Sequence, residues 1–135
     1  MSDVAAHQDD PTFDVEARRL RFCRELLTEQ RIMDRYIREI SLSPASWIIL
    51  LELYSADAAS KRLSVSSLGY ASGVSIATAV RLTQSLEVRA IVERQRDPHD
   101  ARRTNVALSA RGRATLRCIF DDCVASRAAA PALTN

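Results

Sequence analysis

The sequence contains no apolar run approaching the ~20 residues that a membrane span requires. Its opening stretch, MSDVAAHQDD, has neither the basic nor the apolar region of a secretory signal. Both absences point to a cytoplasmic protein with no membrane partner. Histidine occurs only as His7 and His99, too far apart along the chain to suggest a metal site. The three cysteines, Cys23, Cys118 and Cys123, form no Cys-x-x-Cys pair, which argues against a zinc site or a redox dithiol. On a helix Cys118 and Cys123 would lie about 140° apart, so all three read as small buried hydrophobes. With three glycines there is no glycine-rich phosphate loop, and no nucleophile–base arrangement stands out. The chain reads as a non-enzyme that needs no cofactor. No internal repeat is visible.

What is present is an ordinary globular composition: 135 residues, 47% apolar and 27% charged. That size suits one domain, able to bury a core without disulfides or metals. The formal net charge of +2 hides a strong polarity. Residues 1–60 hold 7 basic and 11 acidic residues, whereas residues 61–135 hold 12 and 6. A basic half of this kind favours nucleic acid or an anionic surface as partner.

Along the chain, residues 1–11 read as a mobile polar tail and residues 12–135 as a single domain. A helix over 14–41 is expected, with Asp14 as N-cap. Its apolar residues Leu20, Cys23, Leu26, Leu27, Met33, Ile37 and Ile40 spread over roughly 160°, wider than the ~100° one core needs. The helix is either deeply buried or shared with a second subunit. Ser43-Pro44 starts the next helix, with Ser as cap and Pro at the first position. Trp47, Leu50, Leu51 and Tyr54 form its stripe. A short helix over Val65–Ser72 turns Leu68 and Ala71 inward, Gly73 supplies a turn, and Ser75 caps a helix running to about Arg89. In that helix Ala79, Leu82, Thr83 and Leu86 face inward; Ala77, Thr78, Arg81, Gln84, Ser85 and Val88 face outward. Two short helices joined by a Gly-containing turn indicate a helix-turn-helix. Ile91–Arg96 and Arg103–Leu108 read as strands around the turn Asp97-Pro98-His99-Asp100. Ser109 caps a final helix over 110–128, with Leu116, Ile119, Phe120, Cys123 and Val124 inward and Pro131 as its stop. The expected fold is mainly α with a small β-hairpin: a winged helix-turn-helix (63–109) flanked by N- and C-terminal helices.

This order places chemistry suited to double-stranded DNA. Ser75, Thr78 and Arg81 occupy the first turns of the second short helix, where recognition helices meet base edges and phosphates. Gln84 follows one turn on, a residue type that pairs with adenine. The hairpin carries Arg94 and Arg96 outbound and Arg102 and Arg103 on return, suited to phosphate or minor-groove insertion. At the wing tip, a phosphate contact and a solvated turn explain His99 equally well.

Residues 63–113 resemble the winged-helix core of the MarR (multiple antibiotic resistance regulator) type. The resemblance lies in Leu63-Ser64-Val65 leading to Leu68, in Gly73-Val74-Ser75, Thr78, Arg81-Leu82 and Leu86-Glu87, and in Ile91-Val92-Glu93-Arg94. It continues through Asp97-Pro98, Asp100, Arg102-Arg103 and Leu108-Ser109 with Gly112, and upstream in Pro44–Leu53. The Asp-Pro-x-Asp-x-Arg-Arg stretch followed by Leu-Ser-x-x-Gly is its most specific part. The resemblance implies a dimeric DNA-binding transcriptional regulator, often a repressor released by a small aromatic effector or by cysteine oxidation. It also implies that Asp100 orients Arg102. Three features depart from the pattern: Ala90 stands where glycine is usual, Ala101 replaces an arginine in the wing, and one C-terminal helix fits where two are usual for dimerisation. Two rival readings are a winged helix whose basic hairpin docks an acidic protein, and a thiol switch at Cys23.

Overall fold

The structure, a computed structural model, describes residues 11–129. Its elements are α1 (Pro11–Glu39), α2 (Pro44–Ala58), β1 (Leu63–Ser64), α3 (Val65–Ser72), α4 (Ile76–Val88), β2 (Val92–Arg96), β3 (Thr104–Leu108) and α5 (Ala110–Ala129). This is a mainly helical winged helix, with α3 and α4 as the helix-turn-helix and β2–β3 as the wing. Packing divides the described residues into two units, residues 37–118 and residues 11–36 with 119–129. Residues 1–10 of the expected tail, and Pro131, lie outside the described residues.

In the unit of residues 37–118, helix starts follow one rule. Ser43, Ser64, Ser75 and Ser109 each accept, on the side-chain oxygen, the backbone N–H three residues on, at 2.9–3.2 Å. Each such cap is worth about 1 kcal/mol. Helix ends follow another. At the ends of α1, α2, α3 and α4 the chain enters the left-handed region at Ser41, Ser60, Gly73 and Ala90, with φ of 50°, 53°, 71° and 59°. The following N–H then reaches back five residues: Leu42 to Ile37 O (3.0 Å), Lys61 to Ala56 O (2.9 Å), Val74 to Gly69 O (3.0 Å) and Ile91 to Leu86 O (2.9 Å). All four are Schellman endings, and only one uses glycine. A non-glycine residue in this conformation is strained by about 1–2 kcal/mol. Ala90 is exposed, so Ala90→Gly removes strain without removing packing. Set against the extra chain entropy of glycine, the substitution is expected to raise unfolding free energy by roughly 0.5 kcal/mol or more, read as a higher urea midpoint with unchanged slope.

The core of this unit joins Ile49, Leu50 and Leu53 of α2 to Leu68 of α3, Ala79 and Leu86 of α4, and Val92, Val106 and Leu108 of the sheet. Burial of each large side chain contributes about 1.5–3 kcal/mol. The buried face of α2 is centred on Leu50 and Leu53; Leu51 and Tyr54, expected on the inner stripe, are half-buried beside it. On α3 the buried arc runs through Val65, Leu68 and Gly69, which leaves Ala71 exposed on its far edge rather than inward. The sheet has the order β1-β3-β2 and is antiparallel throughout. β1, two residues long, was not expected as a strand. Arg113, on the first turns of α5, grips Asp57 at the end of α2 with two bonds of 2.7 and 3.1 Å. That guanidinium holds the Asp57 carboxyl below the usual carboxylate range.

In the other unit, α1 begins at Pro11, so Asp14 lies in its first turn and is not its cap. Arg127 of α5 pairs with Glu29 of α1, and the Tyr36 hydroxyl donates to Asp122, which Arg35 also approaches at 3.8 Å. The apolar side of α1 is largely uncovered: Phe13, Leu20, Phe22, Leu26 and Leu27 are all exposed. Cys23 shares that exposed surface, which corrects its reading as a buried hydrophobe. Cys118 is exposed as well, because two residues of helix rotate it by about 200° from the buried Leu116. Val124, expected inward, is exposed for the same reason: eight residues on from Leu116 leave it about 80° out of line.

Candidate nucleic-acid interface

α4 turns Ala79, Thr83 and Leu86 into the core and leaves Arg81, Gln84 and Ser85 exposed, with Thr78 half-buried. Its first turns carry a short chain of hydrogen bonds. The Ser75 hydroxyl caps the Thr78 N–H at 3.1 Å and also donates to Thr78 Oγ1 at 3.0 Å. Arg81 Nη2 in turn donates to Thr78 Oγ1 at 3.3 Å. Three of the expected contact residues are thus tied to one another along the outer face. The tie restrains the long Arg81 side chain, so less rotamer entropy remains to be lost when it meets a ligand.

The wing tip is organised by Asp97. Its Oδ1 accepts the N–H groups of His99 (2.7 Å) and Asp100 (3.1 Å), and its Oδ2 accepts from Asn105 Nδ2 at 2.9 Å. The Asn105 bond first, then the His99 amide, hold its carboxyl below the ordinary range. The turn is therefore held by an anion that persists at neutral pH. Asp100 forms a second turn, accepting the Arg102 N–H at 3.0 Å, with its carboxylate 3.6 Å from Arg102 Nε. The Arg102 side chain is 95% exposed, and Arg96 and Arg103 are exposed on either side of the tip.

Arg94 is placed differently. Cross-strand register aligns it with Val106, which in turn faces Leu63, in the row that holds the buried Val92 and Leu108. Its side chain is 16% exposed, lies 3.8 Å from Glu87, and buries its Nε without a hydrogen-bond partner. Glu87 also accepts the Arg94 backbone N–H at 3.2 Å. This arginine, expected to face outward with the other wing cations, ties the wing to the end of α4.

Two residues join the site that the sequence reading passed over. Arg62 donates to Gln95 on the opposite face of the sheet; it was hidden because it precedes a strand too short to show alternation. Ile76, the first residue of α4, is 60% exposed. A cavity of about 70 Å³ in the same unit is lined by Ile40, Leu50, Ile91 and Leu116 with Arg89 and Arg111; ligand pockets for drug-sized molecules run about 300–1,000 Å³. Among the described residues no group of His, Cys, Asp and Glu is arranged to hold a metal ion, and no helix is long and apolar enough to cross a membrane.

The model of the MarR family matches residues 40–103. No curated protein matches the chain. Among solved structures, the S. aureus MepR–DNA complex superposes with a TM-score of 0.64 at 20% identity, covering 79% of this chain and 87% of that one. The transcriptional regulator Tm0710 from Thermotoga maritima gives 0.68 at 18% identity, covering 88% and 78%. The disulfide form of AbfR gives 0.60 at 16% identity, covering 93% and 81%. At these identities the structural likeness is one of fold. Residues 40–103, from just past α1 to the wing tip, are the part of the chain that resembles the MarR family.

Proposed function

We propose that the chain is a sequence-specific DNA-binding transcriptional regulator acting in the cytoplasm as a homodimeric repressor. One observation carries this reading: the tied, outward Ser75–Thr78–Arg81 face of α4 stands in a domain whose wing tip presents Arg96, Arg102 and Arg103 to solvent. A restrained outer helix face with exposed cations in the same unit separates base contacts from phosphate contacts, the division of labour that DNA recognition needs. Support comes also from the family match and from MepR, whose structure is a DNA complex. The exposed apolar residues of α1 support a homodimer, since exposed apolar surface on this scale favours a protein partner. Two such protomers would read half-sites about 34–36 Å apart. The small-molecule effector that the family resemblance implies belongs to the same reading, but the 70 Å³ cavity is too small for a drug-sized one.

The test is a mobility-shift series on random-sequence and selected duplexes across salt concentrations. Binding is expected to weaken at least about tenfold between 50 and 200 mM salt, as neutralised phosphates release counterions. Failure to retain any duplex at low salt would overturn the proposal and favour a winged helix that docks an acidic protein.

A further inference from the structure

The N-terminal half of the outer face of α4 is apolar rather than cationic. Ile76 is 60% exposed, Ala77 is exposed and Val80 is half-buried. At 100° per residue, Ile76, Val80, Gln84, Ala77 and Arg81 follow one another around an arc of about 140°; Arg81 is the one charge among these five, and the next charge in the arc, Glu87, lies at the far end of the helix beside Arg94. A β-branched side chain exposed to this extent at the start of a helix contributes little to the stability of this unit.

Its surroundings select the partner. Arg62, Arg96, Arg102 and Arg103 are exposed cations of the same unit, complementary to a polyanion and unsuited to an apolar peptide. The first residues of a recognition helix are those that meet base edges. In the major groove the one apolar group on those edges is the C5 methyl of thymine, while Arg pairs with guanine and Gln with adenine. We infer that Ile76, with Ala77, reads thymine methyl groups beside a guanine contact by Arg81 and an adenine contact by Gln84. The inference rests on the DNA-binding reading above and adds the base chemistry of its target.

The experiment uses the full chain and a duplex selected from random-sequence DNA, with each thymine replaced in turn by deoxyuridine, which removes only the methyl group. Affinity is measured by fluorescence anisotropy. Replacement at the thymine facing Ile76 is expected to weaken binding about 3–5-fold per half-site, the effect of leaving one methyl unburied. In Ile76→Ala, whose thermal melt should match the parent because the side chain is exposed, the thymine-to-uridine ratio is expected to fall towards one while binding persists. Equal affinity for thymine and uridine duplexes at every position would overturn the inference and leave the DNA-binding reading intact. So would a ratio that survives in Ile76→Ala, since the methyl would then act through DNA shape. If selection enriches no duplex at all, the DNA-binding reading fails and the inference fails with it.

Discussion

Alanine at position 112 is expected to destabilise the protein by about 3–5 kcal/mol. A Cβ at Gly112 would lie 2.1 Å from the Ile91 carbonyl oxygen and 3.0 Å from its carbon. That oxygen cannot retreat freely, because it accepts the Ser109 N–H at 3.0 Å and the Ser109 hydroxyl at 3.0 Å. That hydroxyl shares its one proton with Ala90 O, 2.6 Å away, and its oxygen caps the Gly112 N–H at 2.9 Å. Relief of the clash therefore breaks bonds at the end of α4 and the start of α5 together. Overpacking of this kind destabilises by about 1–3 kcal/mol, and two lost hydrogen bonds add about 1 kcal/mol each. In a thermal melt the drop should be on the order of 10 °C. A midpoint within error of the parent would show that the backbone shifts without loss, and the role assigned to Gly112 would be wrong.

Arg81→Ala and Arg102→Ala are expected to weaken DNA binding in different ways. Arg81 is held on the outer face of α4 by Thr78, so its loss should lower affinity for the selected site by about 1–3 kcal/mol, roughly 5–150-fold, and flatten the preference at one base position. Arg102, almost fully exposed beside Asp100, should weaken selected and random duplexes alike and reduce the salt slope by about one unit. Competition binding over a salt series separates the two. If Arg102→Ala left affinity and slope unchanged, the wing would not be a phosphate contact; if Arg81→Ala weakened all duplexes equally, α4 would not be the reading helix.

The helix-turn-helix was legible because its boundaries are written in side-chain chemistry. Serine caps at positions 75 and 109 and the left-handed Gly73 each announce themselves by residue type, whereas the cap at Ser64 was not read from the sequence. The wing turn was legible in Asp97-Pro98, although the sequence did not show that Asp97 binds Asn105 as well as its own turn. Three helix ends were silent, because Ser41, Ser60 and Ala90 adopt a glycine conformation without glycine; Ala90 was flagged only by its place in the family pattern. The placement of Arg94 was available in principle. It stands two residues after Val92, so strand alternation puts both on the same face, and Val92 is buried; charge alone suggested otherwise. The exposure of Cys23 and of the α1 apolar residues could not be read from periodicity, which shows where a helix is apolar but not what covers it.

The contact at Gly112 also bears on how this unit opens. The Ile91 carbonyl is shared by the turn after α4 and by the first turn of α5, so neither can fray while the other stays closed. Local unfolding proceeds in contiguous cooperative blocks, and here one block spans two segments some twenty residues apart in sequence. Helix α4 is thereby guarded at its C-terminal end against the low-energy fluctuations that usually loosen helix termini.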